Sequence, residues 1–174
     1  ELIEALAYAP SHLSLYQLTI EPETAFDALA RAGKLTVPDA DAARALYDVT
    51  QETCLKAGLP AYEISNHARP GAECRHNLLY WRYGEYAGIG PGAHGRAFTA
   101  EGRVALANEK QPEAWLAALE SGGDGVAARE RLTPENESDE FLLMGLRLSE
   151  GIDPRRFELL RGRRAVAAAR FESR

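Results

Sequence analysis

Hydrophobic and polar positions along the chain change period several times, and each change marks an element. Residues 1–8 have a helical pattern that Pro10 cuts short. His12 to Ile20 then alternates and carries β-branched and aromatic groups, which predicts a strand. Pro38 and Asp39 open an amphipathic helix, capped by Asp39 or Asp41, with Leu46, Val49, Thr53 and Leu55 along its face and Gly58-Leu59-Pro60 as its stop. A second strand is predicted from Ala61 to Ile64. Strand, helix and strand at this spacing form a βαβ unit, for which parallel strands and a right-handed crossover are expected.

Beyond Ala107 the pattern becomes helical. Gln111 to Glu120 predicts a short helix with Trp115, Leu116 and Leu119 inward, ended by Ser121-Gly122-Gly123. Thr133-Pro134 has the form of an N-cap followed by proline at the first helical position, and Phe141, Leu142, Met144, Leu146 and Leu148 give that helix its apolar side. Gly151 ends it and Asp153-Pro154 opens another. The stretch 121–128 reads as a connection, and no internal repeat is present.

Composition narrows the class. The 174 residues suffice for a core, and no apolar run reaches the ~18 residues of a membrane span. The start lacks the basic end of a signal peptide. Cys54 and Cys74 make no disulfide framework, so a reducing cytoplasm is the expected compartment. A formal charge of −6 argues against a nucleic-acid surface. The exception is Arg155 to Arg174, with seven arginines against two glutamates, for which a solvated helix face is a simpler reading than a partner patch.

Chemistry concentrates between Tyr62 and Gly95, where three of the four histidines fall. A mixture of imidazoles, aromatics and glycines suits a concave site for a large flat ligand or a metal. Gly88, Gly90, Gly92 and Gly95 form a turn that could cradle a phosphate, carboxylate or cofactor edge; a plain strand-end turn is the simpler alternative. It is not the dinucleotide pattern, because Pro91 interrupts it and no long helix follows. Cys74 and His76 lack the paired Cys-X-X-Cys spacing of structural zinc. Glu63 is a lone acid, and no Ser-His-Asp set can be argued from spacing. His76 is a possible haem-iron ligand with flat aromatic faces at Tyr80 and Trp81. His76 and Tyr80 share a face whether 76–81 is helical or extended. The competing reading has His76 and Asn77 fastening a loop while Tyr80 and Trp81 enter the core.

Four blocks in order, His12–Phe26 (HLSLYQLTIEPETAF), Tyr62–Gly71 (YEISNHARPG), His76–Trp81 (HNLLYW) and Gly88–His94 (GIGPGAH), resemble the HemW proteins. These are radical-SAM relatives of oxygen-independent coproporphyrinogen III oxidase, and the resemblance runs from about residue 8 to 157. The true oxidases resemble this chain in the Leu13-Ser14 strand, Ala68-Arg69-Pro70 and the glycine turn, but lack the His-Asn-X-X-Tyr-Trp block. That block is the family's proposed haem motif, so the resemblance favours a haem-holding and haem-transferring chaperone; the alternative is the oxidase of porphyrin biosynthesis. It implies an α/β fold: the last strands and helices of a radical-SAM barrel over 1–107, then the start of a small mostly helical C-terminal domain over 108–174. Haem would be held by His76, as axial ligand, with Asn77, Tyr80 and Trp81. S-adenosylmethionine (SAM) would lie on the side of Gln17, Thr19, Gly90 and Gly92. The family's 4Fe–4S motif, Cys-X-X-X-Cys-X-X-Cys, is absent here, so the chain is expected to be a fragment that performs no radical chemistry alone. The implied partner is a haem-accepting protein, a membrane-associated one among the candidates. Arg161 to Arg174 departs from the family pattern.

Overall fold

A computed structural model describes residues 1–100 and 102–171, with side chains up to residue 162. Its backbone divides into two compact units, Glu1–Cys74 and Arg75–Arg174.

The first unit contains α1 (Leu2–Ala7), β1 (His12–Ser14), α2 (Ala25–Arg31), α3 (Ala40–Lys56), β2 (Ala61–Glu63) and β3 (Asn66–Ala68). Its sheet has the order β1-β3-β2, with β3 antiparallel to both neighbours. The expected βαβ pair is therefore modified: β1 and β2 point the same way, but β3 lies between them. β3 is the return arm of a hairpin whose two-residue turn, Ile64-Ser65, has neither glycine nor asparagine. The Glu63 carboxylate makes this turn instead, accepting from Ser65 N at 2.8 Å and from the Asn66 side-chain amide. β3 offers three residues for pairing, so β1 stops at Ser14 rather than reaching Ile20.

The cap of α3 is Asp39, whose carboxylate accepts from Ala42 N at 2.8 Å. The expected face is corrected: Leu46, Val49 and Leu55 are more than half exposed, whereas Cys54 is fully buried and Ala43, Tyr47 and Thr50 are half-buried. Positions 43, 47, 50 and 54 recur at the helical period and form the inward face, and Leu46, Val49 and Leu55 lie off that face. Gly58, at φ +77°, ends the helix. The unpredicted α2 is capped by Thr24, which accepts from Asp27 N at 3.2 Å.

In the second unit the order is α4 (Arg75–Trp81), β4 (His94–Thr99), β5 (Gly102–Asn108), α5 (Pro112–Glu120), β6 (Val126–Arg131), α6 (Pro134–Gly145) and α7 (Pro154–Phe171). Strands β4, β5 and β6 form one antiparallel sheet. The region beyond 107 is thus not wholly helical: β6 occupies part of the stretch read as a connection, and residue 107 lies inside β5. Helix α5 falls where periodicity placed it, and α6 starts at the expected cap, with Thr133 accepting from Asn136 N at 3.1 Å, but it ends at Gly145 rather than at Gly151 and leaves Leu146 exposed. Leu116, expected inward, is half exposed.

The core of this unit is Tyr83, Phe141 and Leu160, backed by Met144, Ile152 and Phe157. A Cβ on Gly145 would come within 2.2 Å of the Ile152 side chain, so glycine sets the close approach of α6 to the chain beyond it. Part of the basic tail is structural. Arg156 donates to the carbonyls of Arg82 at 2.7 Å and Tyr83 at 3.1 Å, and lies over the Phe141 ring. The side chains of 163–171, and residues 172–174 altogether, are outside the described residues.

Candidate functional site

The His-Asn-X-X-Tyr-Trp block forms helix α4. The helix ends in a Schellman arrangement, with Gly84 N donating to Leu79 O at 2.8 Å and Tyr83 N to Tyr80 O at 2.9 Å. The residue in the left-handed position is Tyr83, at φ +57°, where a bulky side chain is strained. Its surroundings hold it there. Tyr83 is 3% exposed, Arg103 stacks on its ring at 3.7 Å, and its hydroxyl donates to Glu140 at 3.0 Å. Arg103 also donates to the carbonyls of Tyr83 and Gly84.

Helical geometry brings His76 and Tyr80 onto one face. Their rings meet edge to face, with centroids 4.6 Å apart and planes at 87°. Tyr86 adds a third ring, 4.2 Å from Tyr80. His76 is exposed, so its imidazole is open to a ligand from outside. Trp81 points elsewhere. It lies under the Arg147 guanidinium at 4.4 Å and lines a cleft of about 160 Å³ with Phe141, Leu148 and Ile152. Asn77 is half-buried on the same helix. The structure thus joins His76 with Tyr80, turns Trp81 toward Arg147 and the cleft while its ring stays 6.5 Å from that of Tyr80, and supplies Tyr86, which sequence reasoning missed.

The other histidines are differently placed. His12 shares a hydrogen bond with the Tyr62 hydroxyl at 2.9 Å. His67 is 1% exposed, and its Nε2 donates to Gln51 Oε1 at 3.3 Å. Burial lowers the His67 pKa, outweighing the attraction of Glu63, so this ring favours its neutral form. His94 is exposed at the start of β4.

Charged groups behind the site form one network. Arg96 donates to Glu140 through Nε at 3.2 Å and a terminal nitrogen at 2.8 Å. Burial pushes the Glu140 carboxyl up, but hydrogen bonds from Arg96 and Tyr83 prevail and hold it below the usual carboxylate range. Burial also raises the phenols of Tyr83 and Tyr86, against the nearby arginines.

The glycine turn is tied to β5. Buried Asn108 donates to the carbonyls of Gly88 at 3.2 Å and Gly90 at 2.9 Å, and Gly92 N donates to Glu109 O at 2.7 Å. Gly90 and Gly92 have φ of +101° and +69°, so conformation demands glycine at both. A Cβ on Gly90 would meet nothing within 4 Å, and one on Gly92 only Lys110 Cα at 3.9 Å, which leaves the turn's outer side open to an approaching group. Gln17 and Thr19 belong to the first unit and are exposed. Gln17 donates to Ala43 O at 2.7 Å and lines a cleft of about 370 Å³ with Leu15, Leu18, Leu46 and His67.

The donor set does not fit an iron–sulfur cluster in this chain. Cys54 is buried and Cys74 half-buried, both are free thiols, and no group of three or more potential metal ligands occurs among the described residues.

No protein-family model matches the chain. Its fold is shared with a solved structure of the coproporphyrinogen III oxidase HemN from Escherichia coli, described as a radical SAM enzyme. The TM-score is 0.64 at 14% identity, over 91% of this chain and 38% of that one. The class is therefore a mixed α/β part of a radical SAM fold. Sequence likeness is closer to another branch. The chain is 38% identical over 164 residues to radical S-adenosyl methionine domain-containing protein 1, mitochondrial, of Danio rerio, covering 91% of this chain and 37% of that protein. It is 40% identical over 152 residues to the heme chaperone HemW of Synechocystis, covering 85% and 35%, and 43% identical over 104 residues to that of Escherichia coli, covering 60% and 26%. By sequence the chain is similar to the C-terminal part of HemW-type radical SAM proteins, and it spans little more than a third of the length of the relatives from Danio rerio and Synechocystis.

Proposed function

We propose that this chain carries the haem-binding part of a HemW-type haem chaperone, with His76 as axial ligand to the haem iron. The observation that supports it most is an exposed imidazole seated edge-on against Tyr80 on α4, with a second ring, Tyr86, behind. A neutral imidazole is a competent haem ligand, and flat aromatic groups give a macrocycle apolar surface to cover. The names of the relatives from Synechocystis and Escherichia coli agree with this reading. The oxidase alternative rests on a likeness of fold at 14% identity and is not favoured.

In the whole protein, residues 1–107 would contribute the end of the barrel and 108–174 the start of the C-terminal domain, with the sheet β4-β5-β6 drawing on both stretches. Exposed Tyr16, Leu18, Leu46 and Val49 are apolar surface that further barrel elements would cover. SAM and a 4Fe–4S cluster belong to the class. Our candidates for the SAM side are Gln17 and Thr19 in the first unit and, in the second, Gly90 and Gly92 with the open outer face of their turn; the cluster would need thiolates from elsewhere. The partner is a haem-accepting protein, a membrane-associated one included. No helix among the described residues is long and apolar enough to cross a membrane. A reducing compartment suits the two free thiols; the relatives from Danio rerio and Mus musculus are named as mitochondrial, and the cytoplasm is our proposal for this chain.

Haem titration tests the reading. The protein should bind haem stoichiometrically with a histidine-type Soret band and release it to apomyoglobin. His76→Ala should lose that band while keeping its helical circular dichroism; an unchanged band would refute the assignment.

A further inference from the structure

Two aromatic residues flank this site, and the structure gives them opposite duties. Trp81 is five positions from His76, which places it about 140° around α4. Its indole Nε1 is buried without a hydrogen-bond partner, its ring lies under Arg147, and Phe141, Leu148 and Ile152 line the same small cleft. That environment packs a helix onto a core.

Tyr86 is outside the block and beyond the helix end. Its ring lies 4.2 Å from Tyr80, whose ring lies 4.6 Å from His76. Its backbone exchanges two hydrogen bonds with Arg96 of β4, at 2.8 and 2.9 Å, forming a bridge onto the sheet edge. His76 thus stands on a column of two rings rooted in a strand. An exposed histidine on a surface helix otherwise samples several rotamers and loses that freedom when it ligates a metal. Tyr80 alone could swing away from it; Tyr86 closes off that movement.

We infer that Tyr86 is a positioning residue that presets the His76 imidazole for axial ligation through Tyr80, and that Trp81 anchors α4 to the core and forms no wall of the haem site. This rests on the haem-ligation reading given above. It is the ring of Tyr86 that acts, so its hydroxyl is dispensable.

The experiment compares haem binding in the wild type, Tyr86→Leu, Tyr86→Phe, Trp81→Phe and His76→Ala, each with its melting temperature. Tyr86→Leu should weaken haem binding about two- to tenfold, the cost of immobilising one side chain, without moving the Soret maximum. In the haem-free protein, the His76 ring-proton resonances should move toward their values in an unstructured peptide. Tyr86→Phe should restore both affinity and resonances. Trp81→Phe should lower the melting temperature and leave haem affinity unchanged. If Tyr86→Leu does not fold, Tyr86→Met replaces it, and the His76 resonances of Tyr86→Phe give a second check: displaced resonances there would overturn the proposal. Wild-type affinity and resonances in the folded Leu or Met variant would overturn it, as would a greater loss of affinity in Trp81→Phe. A Soret band that survives His76→Ala defeats the haem-ligation reading and this proposal with it. A band lost in His76→Ala but untouched in Tyr86→Leu defeats only this proposal.

Discussion

In Glu1–Cys74 the hairpin strands bury Glu63, Asn66 and His67, whereas in Arg75–Arg174 the packed cluster is Tyr83, Phe141 and Leu160. The first unit thus has a polar web at its centre and leaves Tyr16, Leu18 and Val49 at its surface. The second has an aromatic centre and uses its polar pairs, Arg96 with Glu140 and Arg103 with Tyr83, to brace the end of α4. The same contrast separates two imidazoles from one motif-rich stretch. His67 is enclosed and bonded to Gln51; His76 is open and presented on a stack of rings. Residue type makes neither a ligand. Of these two, only His76 has the exposure and ring support that the proposed ligation needs.

The greatest expected effect is on the aromatic centre. Phe141→Ala should cost the second unit about 3–5 kcal/mol, the usual range for an emptied aromatic site. Both tryptophans, Trp81 and Trp115, belong to this unit, so their fluorescence in denaturant reports its unfolding directly. A loss below about 1 kcal/mol would mean that the cluster is not its core.

A smaller change should follow in the polar web. Asn66 accepts from Ser14 Oγ at 2.5 Å and donates to Glu63, which is 2% exposed. Asn66→Leu leaves that carboxylate short of a donor and should cost about 1–3 kcal/mol. Amide exchange at Leu13, His67 and Ala68 should accelerate. If protection of these amides is unchanged, the hairpin does not depend on the web.

Acid sharpens the contrast further. His67 has its pKa lowered by folding, so the unfolded chain takes up the proton first as pH falls. The first unit should therefore lose stability once pH drops below about 6.5, the ordinary histidine value, and continue to lose it down to the lowered folded value. Glu140 has the carboxylate form of the effect. Its contribution is present above the ordinary carboxylate value, about 4.3, and fades only as pH falls below that. The protection factor of the His67 amide, its exchange relative to an unstructured peptide at the same pH, should fall between pH 6.5 and 5 while tryptophan fluorescence stays native, and His67→Gln should remove that pH dependence. Simultaneous loss of both signals in every variant would contradict the separation.

The helices were legible because their signals are local: Asp39 ahead of α3, Thr133-Pro134 ahead of α6, Asp153-Pro154 ahead of α7. The His76–Tyr80 pairing was legible for the same reason, as an i, i+4 relation. The hairpin at β3 was not, because its turn depends on the Glu63 side chain rather than on glycine or asparagine. The sheet β4-β5-β6 was obscured by turn residues in the glycine stretch and by Gly-Asp-Ala composition before β6. Tyr86 could not be joined to the site from sequence. Its approach follows a left-handed Tyr83, a conformation that tyrosine takes only when burial, Arg103 and Glu140 hold it.

The central claim is that an open, ring-backed imidazole, and not merely a histidine in the motif-rich stretch, ligates haem. Soret titrations of His76→Ala, His67→Gln and His94→Ala, on samples shown to be folded, test it most directly. The account predicts loss of the histidine-type band in His76→Ala alone, with wild-type bands and affinities in the other two. Retention in His76→Ala, or loss in either of the others, would contradict it.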